Sequence, residues 1–399
     1  MESVTEVGTG TGTGATTGAA AVLPELLPDL WQEIWWQVER CVPMEERAGT
    51  AGVAQAWHDR FWGGVVVRSQ RDLDRALAAL DIRLIVVAEP GLVVSRLAAG
   101  GAPIVAEADL RITGQGRVCT RDDVHVVASG GAHVYAEGRA EVTAADHGYV
   151  CARGGARVTA HGSVGVEAYD QAEVDVDGSV TVHAHDEVRV TARADAQVWA
   201  VDSVQVAARD RVTVEADGAV QVTADGEVTV AARGQARVTT YGGNVKAWDR
   251  VRVHADGAAE ITAYGNTHVR AAGEASLHAT DHAQVEITGD AVAYLSCSAA
   301  VAASGGAHVI AYDQTVADVR EHASVLALGH AQVVAYDHAR VQAGDTTAVT
   351  GQGQDIRIWA TDSVTVDAPP STILAITTGQ LVHGSWNTLE SLWQQSRTP

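Results

Sequence analysis

Large apolar side chains are scarce in this sequence: its 399 residues include one phenylalanine, Phe61, and two methionines. Valine and alanine supply most of the apolar content. A conventional β-sandwich or barrel fills a gap of about 10 Å between its sheets with bulkier residues, so this composition suits a narrower interior. Basic charge is equally sparse. Lys246 is the only lysine, and 28 basic residues stand against 50 acidic ones, for a net charge of −22. That balance opposes direct binding to nucleic acid, which needs cations to displace the counterions of phosphate, and opposes attraction to an anionic membrane surface. The cysteines, Cys41, Cys119, Cys151 and Cys297, show no C-x-x-C spacing. Neither a zinc knuckle nor a redox motif is expected from them, and four reduced, part-buried thiols are.

Targeting signals are missing as well. Met1 to Val4 lack a basic stretch leading into an apolar one, so no signal peptide is expected. No run of 18 apolar residues without charge suggests a membrane span. Cytoplasmic residence is the default expectation. The sequence also lacks G-x-S-x-G, a Walker A motif, and G-x-G-x-x-G in a strand–helix context. No long insertion breaks its repeats to build a cleft that pairs two carboxylates. A non-catalytic protein without a cofactor is expected.

The chain divides by composition. Residues 1–22 are a Gly- and Thr-rich tail, expected to be flexible. Residues 23–104 read as a small α/β module for capping or interaction. In it Leu30, Trp31, Ile34, Trp35 and Val38 recur at helical spacing behind the N-cap Asp29, and a second helix is expected over Ala54–Phe61. Val65–Val67 and Leu84–Val87 are expected strands. Ser69 is placed to cap a helix running to Leu80, and Pro90-Gly91 marks a turn. Residues 105–368 form a repeat array. Residues 369–399 begin with Pro369-Pro370, which is expected to stop the array. An amphipathic helix follows, carrying Trp386, Leu389, Leu392 and Trp393 behind Ser385.

The array is built of octads of the form [VA]-x-V-x-A-x-[DG]-x. Examples are Val164-x-Val166-x-Ala168-x-Asp170 and Val204-x-Val206-x-Ala208-x-Asp210. Three alternating apolar residues make a short strand with one buried face. Asp or Gly then permits a tight bend. Tyrosine spacings of 23, 48 and 24 separate Tyr241, Tyr264, Tyr312 and Tyr336, and the spacing of 24 recurs between His161 and His185. They predict three octads per coil: a mainly β fold, a three-sided β-helix of about ten coils, with the α/β module at one end and a short helix at the other. One-residue slips are expected at Ala194-Asp195 and near Gly242-Gly243-Asn244.

These Val- and Ala-rich strands with Asp or Gly corners resemble triangular β-solenoids. Among cytosolic examples they look most like bactofilins, bacterial cytoskeletal proteins that form polymers. The likeness lies in the repeat character of residues 105–368, and it implies a non-catalytic scaffold able to self-associate.

Two sets of residues stand out as candidate sites. Tyr169, Tyr241, Tyr264, Tyr312 and Tyr336 each follow an inward alanine and are expected to point outward in a column, either as a surface for a glycan or protein partner or as a stacking ladder. His161, His183 and His185 are the most metal-like cluster, although outward positions here carry histidine nearly at random. The corner aspartates read as turn residues rather than calcium ligands, because one carboxylate per corner cannot supply six to eight oxygens. A protein partner or self-association is therefore expected. Glycan binding or cleavage of the phage tail-fibre type, or an acidic DNA mimic occupying a nucleic-acid enzyme, are the alternatives.

Overall fold

The structure is a computed structural model that describes residues 64–377, apart from 83, 99, 100 and 362. The Gly/Thr tail, the helices expected within 24–63, Cys41, Asp362 and the C-terminal amphipathic helix lie outside these residues.

The octads fold as a continuous β-solenoid. Each supplies a strand of about four residues whose second and fourth side chains point inward, as in Gly165–Ala168 and Thr181–Ala184. A third inward residue precedes the strand, as Val164 and Val180 do here, and all of these are buried. Among the described residues strands pair only in parallel, and the register sets the size of a turn. Val150 pairs with Val166, Val166 with Val182, and Val182 with Val198, so the strands stack at a 16-residue step. Two octads therefore complete one turn, and the expected three-octad, three-strand coil is corrected. The error has a simple source. A spacing of three octads is one and a half turns, so it returns a residue to the same octad position on the opposite strand. Shorter coils also mean more of them, about 19 turns rather than ten, and a rod of roughly 90 Å at about 4.8 Å per rung.

Alternate strands stack into two ladders. Sheet 1 has 20 strands, from Gly64–Val67 to Ile373–Thr377, and sheet 2 has 18, from Leu92–Val94 to Thr365–Asp367. Their inward Val and Ala residues form one continuous core. Because β-branched and small residues fill this space from both sides, bulkier ones are unnecessary.

The ladders do not break at residue 105. Gly64–Val67 pairs with Leu84–Val87, which pairs with Ile104–Ala106, which pairs with Gly116–Arg121. The helix α1, Gln70–Ala78, replaces the sheet 2 strand in the first of these turns. Ser69 caps it, its hydroxyl accepting from the Asp72 N–H at 3.3 Å, and its buried face is Leu73, Ala76 and Leu77. Gln70 also finishes the sheet. Its side-chain amide accepts from the Val93 N–H at 2.8 Å and donates to the Val93 carbonyl at 2.9 Å. One side chain thus satisfies the first strand of sheet 2, an edge that otherwise invites pairing. At the far end the prolines do not end the ladder, because Ile373–Thr377 adds another strand beyond them. Its inward-side residues Leu374 and Ile376 are 43% and 62% exposed, with no described turn above them.

The corners explain the Asp-or-Gly rule. The bend residue is left-handed, for instance Asp170 and Asp186 at φ 60 and Asp313 at φ 58. Asp tolerates this region better than most residues. Its carboxylate does a second job, accepting the bend N–H of the turn below. Gly154 donates to Asp170 at 3.0 Å, Asp170 to Asp186 at 3.1 Å and Cys297 to Asp313 at 3.1 Å. Of the two expected slips, one is real. Thr229 pairs with Asn244, a step one residue shorter than its neighbours. The shortened bend closes at Gly243, φ 74, where a Cβ would collide with the Val228 carbonyl oxygen. At Ala194-Asp195 the register is unbroken, and Ala194 simply occupies the left-handed position at φ 59.

Candidate functional site

The two-octad turn redistributes the candidate residues. Tyr169, Tyr264 and Tyr312 follow strands of sheet 1, whereas Tyr241 and Tyr336 follow strands of sheet 2. The five do not make one column. Tyr264 and Tyr312 share a side of the rod but sit three turns apart, roughly 14 Å.

Aromatic side chains nevertheless concentrate on one face. Sheet 1 carries nine of the eleven described tyrosines and tryptophans, on its strands or immediately after them: Tyr135, Tyr149, Tyr169, Trp199, Trp248, Tyr264, Tyr294, Tyr312 and Trp359. Many stack on a ring one turn away. The centroids are 5.1 Å apart for Tyr169–His185, 4.8 Å for His183–Trp199, 5.7 Å for Trp248–Tyr264 and 4.7 Å for His278–Tyr294, with planes within 9° of parallel. Coplanar rings would overlap at such separations, so these lie face to face along the rod and turn their edges outward. Arg153 and Arg233 lie over Tyr169 and Trp248 at 4.6 and 5.2 Å, covering further ring faces. A sugar platform needs open faces, and these arrays spend theirs on each other.

The histidine cluster does not form. His161 lies on a sheet 2 strand, while His183 lies on sheet 1 and His185 directly after it. His183 stacks on Trp199 and His185 on Tyr169, and no set of three potential ligands is placed to hold a metal among the described residues. The three-octad spacing between His161 and His185 again led across the rod.

Several exposed charges pair along the axis. Arg157 reaches Glu141 at 3.8 Å and Glu173 at 3.1 Å, and Arg189 reaches Glu173 at 3.3 Å. Arg139–Asp123, Arg211–Asp195 and Arg270–Glu286 repeat the contact at 2.9, 2.7 and 2.8 Å. All are exposed, so solvent and salt screen the attraction and they add little to stability. The open cleft lined by Arg320, His322, Tyr336 and His338 is similarly occupied by its own contacts. Arg320 forks onto Asp318 at 3.0 and 2.9 Å and covers Tyr336 at 4.7 Å.

The outward residues near the N-terminal end of sheet 1 are more enclosed. Cys119 and Cys151 are buried one rung to either side of Tyr135. Burial pushes the Cys119 thiol up to about 12 and also raises that of Cys151. Burial, then the Glu167 carboxylate, pushes the Tyr169 hydroxyl up to about 12, and it donates to Glu167 at 3.1 Å. These groups hold their protons more tightly than usual, the opposite of an activated nucleophile. Cys297 is exposed.

Compared with family models, curated proteins and solved structures, the chain matches none. Its assignment as a solenoid repeat protein rests on the ladders themselves. No helix among the described residues is long and apolar enough to cross a membrane.

Proposed function

We propose that the protein is a non-catalytic scaffold: a stiff acidic rod that sets the distance between whatever its ends and faces hold. The observation that carries this reading is the near-unbroken two-octad register from Tyr149 to Arg340. Only one residue is lost along that length, at Gly243, and no loop is inserted. Catalytic solenoids place their chemistry in loops or in clefts of convergent charge. Here corner carboxylates hold backbone N–H groups, several arginines pair along the axis and many aromatic rings stack on one another. Many of the polar groups suited to chemistry are engaged in holding turn to turn.

The self-associating form of this reading draws on the likeness to bactofilins. Its geometric support is the C-terminal end, where Leu374 and Ile376 are exposed. The first strand of sheet 2 is closed off by α1 and Gln70. Negative-stain imaging and sedimentation of the full chain test both forms. Rods of roughly 90 Å that join end to end at higher concentration support self-association, and monodisperse rods at every concentration refute it. A compact particle would refute the scaffold itself. Turnover of a polysaccharide, lost on single substitution of an outward carboxylate, would replace it with an enzyme.

A further inference from the structure

The outer face of sheet 1 changes character at its N-terminal end. Its central outward positions there are Val66, Val86, Val105, Cys119, Tyr135 and Cys151, one per rung and each paired with the next. This is the longest apolar run of the column, which turns to Glu167 and His183 on the following rungs. Val86, Val105, Cys119 and Cys151 lie outside the interior core, yet they are only 7%, 4%, 8% and 5% exposed. Large ladder neighbours alone do not bury an outward residue this far. Ile310 stands in the same column between Tyr294 and Leu326 and remains part-exposed. From Glu167 onward only Gln342, beside Trp359, is buried in this column. The N-terminal run is therefore covered, and no described helix or strand covers it. α1, the one helix among the described residues, faces the core with Leu73, Ala76 and Leu77.

We propose that residues 24–63 of the same chain cover this face. Reach selects them. They lead directly into Gly64–Val67, the first strand of the run. From Val66 to Cys151 the run is roughly 24 Å long, well within the span of the segment. The segment at the other end of the chain falls short. Residues 378–399 extend at most about 79 Å, whereas Ile373–Thr377, the last of the 20 strands, lies roughly 86 Å from Val86 in the second. The single residues 83, 99, 100 and 362 are too few to cover six rungs. Composition agrees with reach. Residues 24–63 carry the only phenylalanine, Phe61, and five of the ten tryptophans, Trp31, Trp35, Trp36, Trp57 and Trp62. The face is buried within a single chain, so no second copy is needed. The segment thus lies along the side of the rod instead of across its end, and the outer face left for a partner begins beyond Cys151. The proposal stands independently of the scaffold reading.

Hydrogen exchange on the full-length chain, compared with a free peptide of residues 23–63, tests it. Amides of 24–63 are expected to exchange at least tenfold more slowly in the chain than in the peptide, at every protein concentration. Val105→Asp, on the outer face, should abolish that protection, whereas Thr262→Asp, far along the same column, should leave it intact. Solenoid amides measured in the same experiment report whether the rod stays folded. A second arm leaves the rod's own residues untouched. Trp31→Asp combined with Trp35→Asp should open Cys119 and Cys151 to a thiol reagent, with the exposed Cys297 as the internal reference. Exchange at the free-peptide rate overturns the proposal, and so do thiols that stay blocked in the double variant. Protection that survives Val105→Asp overturns it by placing the segment elsewhere. Protection that appears only at high concentration overturns it by assigning the face to a second copy.

Discussion

Asp170 performs two separable tasks, so substituting it weighs one against the other. Its backbone sits at φ 60, and its carboxylate accepts the Gly154 N–H at 3.0 Å. Alanine loses both advantages. The missing hydrogen bond costs about 1 kcal/mol at an exposed corner where water competes, and a left-handed alanine costs about 1 kcal/mol more. Asp170→Ala should therefore destabilise its turn by about 2 kcal/mol. Asp170→Gly loses the acceptor but relaxes the backbone, at a cost below about 1 kcal/mol. Asp170→Asn keeps a neutral acceptor and should cost about as little as glycine. Ala194, already left-handed at φ 59 with its N–H held by Asp210 at 3.2 Å, supplies the reverse case. Ala194→Gly should stabilise by about 1 kcal/mol. A repeat array need not unfold in one step, so the assay is native-state hydrogen exchange at the amides of the affected and adjoining turns. If alanine and glycine at position 170 prove equally costly, the backbone half of this account is wrong. If all three variants match the wild type, the carboxylate half fails too.

Further outcomes follow from the core, the titrating groups and the thiols. Leu277 is fully buried, and Leu277→Ala should cost about 3 kcal/mol, seen as faster exchange in its own and neighbouring turns; a loss under about 1 kcal/mol would show that the narrow core collapses around small residues. His133 is held below its usual imidazole range, first by burial and then by Arg117. The unfolded chain therefore takes up that proton at a higher pH than the folded one, so its contribution is complete above the unfolded value and is lost as pH falls below it through the lowered folded value. His133→Gln should flatten the stability profile in that acid window, measured by denaturant unfolding, and an unchanged slope would refute the assignment. Cys297 should react quickly with a thiol reagent under mildly alkaline conditions, whereas Cys119, held at about 12, should react only on unfolding. Mass spectrometry of the labelled sites distinguishes them.

Much of the local structure was legible in the octads. The alternation Val164, Val166, Ala168 fixed which side chains point inward, and Asp170 marked the bend, because both follow from backbone geometry within a single octad. The number of octads per turn was harder to read. Nothing inside an octad encodes which strand it will pair with, and tyrosines compared only with tyrosines gave three. The signal lay in mixed pairs: Tyr169 with His185, His183 with Trp199, Trp248 with Tyr264 and His278 with Tyr294 all recur at two octads and all stack. The strands Gly64–Val67 and Leu84–Val87 and the Ser69 cap were equally readable. Their membership of the same ladder was not. Gly64 pairs with Leu84 and Ile85 with Ile104, and both steps are longer than two octads. The carboxylate contact between turns was also hidden, since it joins groups a full turn apart whose meaning appears only once the turn is known.

The parallel register also constrains how such a chain can grow or shrink. Gaining or losing a pair of octads lengthens or shortens the rod by one layer and leaves each downstream side chain facing as before. A change of a single octad exchanges the two sides of everything that follows, carrying the aromatic-rich surface to the back. Duplication in whole turns is thus nearly silent, whereas a half-turn event would scramble any partner that spans the junction.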